Sequence, residues 1–193
     1  AALYAYHGYW KSPAGQSGNR ATFPPLNAYG ASVRGTAGDG ILKFETGYYD
    51  SRDDRDGTDP AVANSELRLL GGYDRELARN LSAGFQYYIE WMMHHDRYED
   101  NLPAGQPARD EVRHLLTLRL TQMLLDQNLI LGLFTFYSPS DHDAYFRPNI
   151  TYKLSDHWQI FANGNIFVGK DDHTFFGQFE NNSNLNLGAR YSF

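Results

Sequence analysis

Hydrophobic and polar residues alternate with a period of two along most of this chain. The alternation is sharpest in its last ten residues, where Leu185, Leu187, Ala189, Tyr191 and Phe193 share one face and Asn186, Gly188, Arg190 and Ser192 the other. Successive side chains of a strand point to opposite sides, so this pattern predicts β-structure with one apolar and one polar surface. Ten segments carry it: 3–10, 27–36, 41–49, 65–73, 81–94, 113–124, 129–137, 145–154, 158–169 and 184–193. Their lengths suit a tilted strand crossing a bilayer, which takes about 9 to 11 residues.

The spacers add a second regularity. Short ones rich in turn formers (37–40, 74–80, 125–128 and 155–157) alternate with long ones (11–26, 50–64, 95–112, 138–144 and 170–183). Short turns at one end and long loops at the other predict an up-and-down arrangement, whereas Greek-key wiring of a soluble sandwich does not keep such an order. The predicted fold is therefore all-β. It is a transmembrane antiparallel β-barrel with about ten visible strands, short periplasmic turns and long extracellular loops, and residues 1–193 form one domain.

The apolar face sets the register. In segment 81–94, Leu81, Ala83, Phe85, Tyr87, Ile89, Trp91 and Met93 face lipid, and Ser82, Gly84, Gln86, Tyr88, Glu90, Met92 and His94 face the lumen. Segment 113–124 turns Leu116, Leu118, Leu120 and Leu124 outward and Arg113, Thr117, Arg119 and Thr121 inward. Segments 3–10 and 129–137 carry apolar or aromatic residues on both faces, which leaves their register open.

Composition supports a membrane setting. Mean hydropathy is -0.57, and no window approaches the 18 or so apolar residues of a spanning helix. Yet there are 14 Tyr, 12 Phe and 3 Trp, a pairing of polarity with aromatics that suits a polar lumen wall between two aromatic girdles. Cys is absent, in keeping with passage through an oxidising periplasm. The first residues lack the basic and apolar regions of a signal peptide and read as strand almost at once, as expected of a processed chain or of a portion of a wider barrel.

Charge divides by compartment. The lumen wall receives eight basic residues (Arg34, Lys43, Arg68, Arg113, Arg119, Arg147, Lys153 and Arg190) against Glu45, Glu66 and Glu90, within a chain of net charge -6. The long loops are acidic. Fixed charges in a confined passage concentrate counter-ions, so this wall is expected to favour anions. Alternatively, inward Arg and Glu pair with one another and merely fill a narrow barrel. No nucleic-acid partner is expected, and the alternation leaves the oligomeric state open.

Three loop features invite chemistry. Asp54, Asp56 and Asp59 in DSRDDRDGTDP are candidate ligands for a weakly held divalent ion, shared with lipopolysaccharide phosphates. An EF-hand is excluded, because Arg52 stands at the first ligand position and Ala63 at the bidentate one. His94, His95 and Asp96, with Asp141, His142 and Asp143, are rim groups of a kind that binds a metal or activates water, but no serine or cysteine nucleophile motif accompanies them, so no enzymatic activity is expected. Phe175, Phe176 and Phe179 are too apolar for a freely solvated loop. They are expected to pack, either as a constriction in the lumen or at the lipid interface.

Segment 113–193, beginning RHLLTLRLTQMLLDQNLILGLFTFYSPSDHDAYFRPNITYKLSDHW and ending through TFFGQF in RYSF, resembles the C-terminal part of larger porin-like barrels of the bacterial outer membrane. The resemblance implies an outer-membrane location in a Gram-negative bacterium, contact with outer-membrane lipid and lipopolysaccharide, and a channel that passes or exports a small polar or anionic solute without a cofactor. Such barrels have more strands than the ten visible here. A different expectation is a closed barrel acting as a scaffold, whose loops bind a partner, a glycan or a divalent ion. An outer-membrane hydrolase acting through His94 and His142 is the third.

Overall fold

The structure, a computed structural model, describes residues 1–17 and 19–193. Ten strands build the main sheet: β1 (Ala2–Tyr9), β4 (Pro25–Ala37), β5 (Gly40–Ser51), β6 (Glu66–Ala78), β7 (Leu81–Met92), β8 (Val112–Leu124), β9 (Leu129–Ser138), β10 (Asp143–Lys153), β11 (Trp158–Val168) and β12 (Asn184–Tyr191). They are antiparallel and neighbour one another in that order, as the alternation of short turns and long loops predicts. Every predicted segment is a strand, with ends displaced by a few residues. The sheet is not closed: β1 and β12 are its two edges, so the barrel expected from the sequence is present as an open antiparallel sheet. Among the described residues, no helix is long and apolar enough to cross a membrane.

The long loops contain structure that the alternation does not reveal. Loop 11–26 carries a hairpin of β2 (Gly15–Ser17) and β3 (Arg20–Thr22), loop 95–112 carries the helix α1 (His95–Asn101), and loop 170–183 carries a 3-10 turn, Gly177–Asn182. The connection expected over 74–80 is much shorter. β6 runs on to Ala78 and leaves a two-residue turn, in which Asn80 takes a positive φ of 61° and its N–H donates to Glu76 Oε1 at 2.8 Å. Asp74, expected in that turn, instead lies within β6, its carboxylate filling the space above Gly84.

The chain divides into two compact units. The first comprises Ala1–Arg34, Lys43–Gly71 and Tyr88–His114. In it β1 pairs with β4, Tyr4 opposite Gly30 and Tyr6 opposite Ala28, which settles the register of the first strand. Large rings stand across from residues with little or no side chain, so two aromatics need not compete for one site.

The second unit comprises Gly35–Leu42, Gly72–Tyr87 and Leu115–Phe193. Here Thr117 pairs with Phe136 and Arg119 with Phe134. Phe136 and Phe134 in turn oppose Tyr145 and Arg147, and Tyr145 opposes Phe167. Asn163 opposes Asn186, and Gln159 opposes Arg190. All of these share one face; Leu120, Leu133, Ile150, Ile160, Ala162 and Leu187 hold the other. Segment 129–137 therefore turns Phe134 and Phe136 to the polar side.

Exposure is inverted relative to a water-soluble fold. Among the described residues the buried hydrophobics are Leu26, Met92, Ala144 and Phe176, while Asp50, Ser51, Asn64, Ser65, Glu66, Thr117, Ser138 and Asp143 are buried polar residues. Leu3, Val33, Phe44, Phe85, Trp91, Leu118, Ile150, Ile160, Ile166 and Leu187 are exposed. All but Leu3, whose segment has no register fixed by the sequence, stand at positions that the alternation assigns to the apolar face.

Pro148, which cannot donate a ladder hydrogen bond, interrupts β10 on that face. Gly164 of β11 makes room for it, since a Cβ there would stand 3.0 Å from the ring Cγ. Gly164→Val should destabilise the folded protein by about 1–3 kcal/mol through overpacking against a rigid ring, read as a lower denaturant midpoint.

Candidate functional site

The polar face of the first unit is organised by two carboxylates. Glu66, 2% exposed, accepts two hydrogen bonds from Arg68 at its Oε2, from Nε at 3.0 Å and from the terminal nitrogen at 2.7 Å, and one from Arg109 at its Oε1 at 3.3 Å. Glu90 accepts from Arg113 at 3.1 Å and from the Tyr88 hydroxyl at 3.1 Å, and lies 3.7 Å from Arg68 Nε. The sequence places these residues on one face because each strand contributes alternate positions: 66 and 68 from β6, 88 and 90 from β7, 113 from β8. Burying a carboxylate is costly unless charged donors surround it, and three guanidinium groups do so here.

Aromatic rings complete this surface. Trp10 stacks on Tyr49 at 5.7 Å with 23° between planes, and the Arg68 guanidinium lies 4.1 Å from the Tyr49 ring centre and 5.8 Å from that of Trp10. Trp10 Nε1 donates to Ser51 Oγ at 3.3 Å. A cleft of about 630 Å³ opens beside them, with Tyr4, Tyr6, Trp10, Tyr49, Arg68 and Tyr88 among its walls. Arg68 and Arg113, both among the basic residues expected on this face, pair with Glu66 and Glu90, the arrangement the sequence offers as its alternative to a selective wall. Arg34 on this face is exposed, and Lys43 is half-buried.

The second unit differs. Arg119, Arg147, Lys153 and Arg190 are exposed and make no ion pair among the described residues. Arg147 lies 5.8 Å from the Tyr145 ring centre. Beside Arg147 the rings of Phe136, Tyr145 and Phe167 stack with interplanar angles of 6°, at 6.0 and 4.3 Å. Tyr145 donates to Asn165 Oδ1 at 2.6 Å, and Asn184 Oδ1 accepts from Asn165 at 3.0 Å and from Asn186 at 2.8 Å.

Loop 170–183 folds onto this wall. Phe176, 5% exposed, packs on Phe136 at 5.5 Å and Tyr145 at 5.6 Å, and Phe179 packs on Phe167 at 5.4 Å. Phe175 lies edge-on to Phe176 at 4.9 Å and stays exposed. Of the two packing sites expected for these rings, Phe176 and Phe179 take the one on the polar face.

The remaining candidates do not converge. Asp54 Oδ2 accepts the Asp59 N–H at 2.6 Å across a turn in which Gly57 has a φ of 70°. Asp56 pairs with Arg97 at 3.3 Å, and Asp59 Oδ1 accepts the Ala61 N–H at 2.9 Å. These carboxylates shape their loop, and no cluster of three metal-ligating side chains occurs among the described residues. His95 Nε2 lies 2.7 Å from the Arg109 carbonyl oxygen, and His94 is the left-handed residue preceding α1. Asp141 accepts from the Ser138 hydroxyl at 2.9 Å.

The sequence marks Asp143 only as a rim group and does not mark Arg109 at all, yet Asp143 holds loop amides and Arg109 reaches Glu66. Loop register carries no periodic signal, so nothing in the chain tells that Arg109 reaches Glu66. The aromatic wall is partly legible: Tyr145 and Phe167 fall on the polar side by parity, while Phe134 and Phe136 lie in a segment whose register the sequence leaves open. No protein-family model, no curated protein and no solved structure matches this chain.

Two outcomes follow for the first unit. Glu66→Gln should cost about 1–3 kcal/mol, since it weakens a buried acceptor shared by the half-buried Arg68 and the exposed Arg109 guanidinium groups, measurable by urea unfolding. At the loop end of β5, hydrogen bonds from Arg55 at 2.8 and 2.9 Å hold the Asp50 carboxyl below its ordinary value of 3.8, against the opposing effect of burial and with help from Asn27. A depressed folded value gives stability that is present above the unfolded pKa and lost as pH falls through the folded one. Hydrogen exchange in 50–64 should therefore stay slow down to about pH 4 and rise below it, and Arg55→Ala should move that onset upward.

Proposed function

We propose that this chain forms the wall of a porin-like β-barrel in the outer membrane of a Gram-negative bacterium. Its apolar face meets lipid and lipopolysaccharide, and its polar face passes or exports polar or anionic solutes without a cofactor. The observation that carries the reading is the pattern of exposure: a series of large apolar strand residues is exposed while the carboxylates of Asp50, Glu66 and Asp143 are buried. Soluble monomers rarely expose apolar patches beyond a few hundred Å², whereas a lipid-facing barrel wall requires them.

The two edges support the same reading. β1 (ALYAYHGY) and β12 (NLNLGARY) are eight residues long, lack proline, and together hold one formal charge, Arg190. Edge strands that face water are normally protected by charge, proline or brevity. In a bilayer every such edge has to be hydrogen-bonded, and ten antiparallel strands permit closure of β12 on β1 or through further strands of a wider barrel.

Selectivity falls to Arg119, Arg147, Lys153 and Arg190, because Arg68 and Arg113 are neutralised by Glu66 and Glu90. The scaffold reading draws on the ordered loop 50–64, fastened by Arg55 to Asp50 and by Arg97 to Asp56. It predicts a folded protein that carries no current.

The test is single-channel conductance and reversal potential of the folded protein across a planar bilayer with a salt gradient. Anion-selective openings are expected, and Arg119→Ser with Arg147→Ser should move the reversal potential toward the value set by ion mobility alone. Unchanged selectivity would reject a role for these two residues; a folded but silent wild type would reject the channel.

A further inference from the structure

We infer that Asp143 is a latch holding loop 170–183 on the aromatic wall, and that by doing so it sets the width of the passage. The second half rests on the channel reading; the latch does not. Asp143 begins β10, is 1% exposed, and turns its carboxylate toward the loop. Its Oδ2 accepts the backbone N–H of Phe176 at 2.7 Å and of Gly177 at 3.3 Å. These two amides lie at the start of the 3-10 turn, where backbone donors lack partners within the turn itself, so one carboxylate oxygen positions the residue whose ring covers Phe136 and Tyr145.

The backbone around the latch is packed to admit it. A Cβ at Gly169 would stand 2.7 Å from Gly177 Cα and 3.0 Å from Asp143 Cβ. One at Gly177 would overlap the Asp171 carbonyl oxygen and Thr174 Oγ1. Thr174 locks the approach from inside the loop, its hydroxyl donating to the Asp171 carbonyl at 2.9 Å and accepting the Gly177 N–H at 3.2 Å. Loop, strand end and carboxylate thus meet at one point, with glycine at both places where a side chain would force them apart. Asp143 Oδ1 is buried without a hydrogen-bond partner, so the latch uses a single oxygen, which an asparagine carbonyl can replace.

The experiment compares wild type, Asp143→Asn, Asp143→Ala and Gly177→Ala, each folded as the full chain, by two independent readouts. Chymotrypsin cleavage after the phenylalanines of the loop reports docking, and single-channel conductance reports width. Asp143→Ala and Gly177→Ala should be cut about tenfold faster or more, since local opening governs cleavage, while Asp143→Asn stays within about twofold of wild type. Conductance should rise in the two released variants. Equal cleavage in all four proteins overturns the latch. Faster cleavage at unchanged conductance overturns the control of width and keeps the latch. Absence of current in every protein, wild type included, defeats the channel reading, and cleavage alone then decides the latch. Gly177→Ala, which leaves the carboxylate in place, serves where Asp143→Ala does not fold.

Discussion

Polar side chains that share one face of an antiparallel sheet and are buried there have to satisfy one another, and the rest of the structure depends on how each unit meets this constraint. Water relieves exposed polar side chains; where a carboxylate such as Glu66 is buried, its acceptors need donors within the protein. The first unit meets the requirement with charge. Glu66 and Glu90 gather Arg68, Arg109 and Arg113, and each carboxylate oxygen has a named donor or a guanidinium nearby. Such a network is stable only while complete, because loss of one partner leaves a charge without compensation.

The second unit meets it with rings and amides. Phe136, Tyr145 and Phe167 occupy alternate positions of adjacent strands and stack in parallel, which fills the wall without creating new polar needs. Asn165, Asn184 and Asn186 close a chain of hydrogen bonds among themselves. The arginines and lysine of this unit are consequently not consumed in holding the wall together. A count of basic residues along the chain treats all eight alike; their surroundings divide them into structural and available groups.

Much of this was legible in the sequence, and the residues show why the rest was not. Strand positions could be read because alternation is a local property, and Arg119, Arg147, Lys153 and Arg190 fell on the polar face by parity alone. The alternation ends β6 too early because Asp74, Arg75 and Glu76 break the apolar series, although the strand runs on to Ala78. The first and seventh segments were ambiguous because Tyr and Phe serve on both faces, and only the residues opposite them, Gly30 for Tyr4 and Tyr145 for Phe136, decide. The loop contacts of Arg109 and Asp143 depend on chain reversals that no periodicity encodes.

The latch and the edges illustrate two ways in which such a wall is completed. At Asp143 the backbone donors of a loop are satisfied by one buried side chain, so the loop is bound to the wall through main-chain atoms and its sequence is free to supply rings. At β1 and β12 the unsatisfied groups are the outer backbone donors and acceptors of eight-residue strands, too many for side chains to serve. A side chain can cap a turn, but only another strand can satisfy a ladder. The same accounting that makes a single carboxylate sufficient for the loop therefore requires strand pairing at both edges of the sheet in any setting without water.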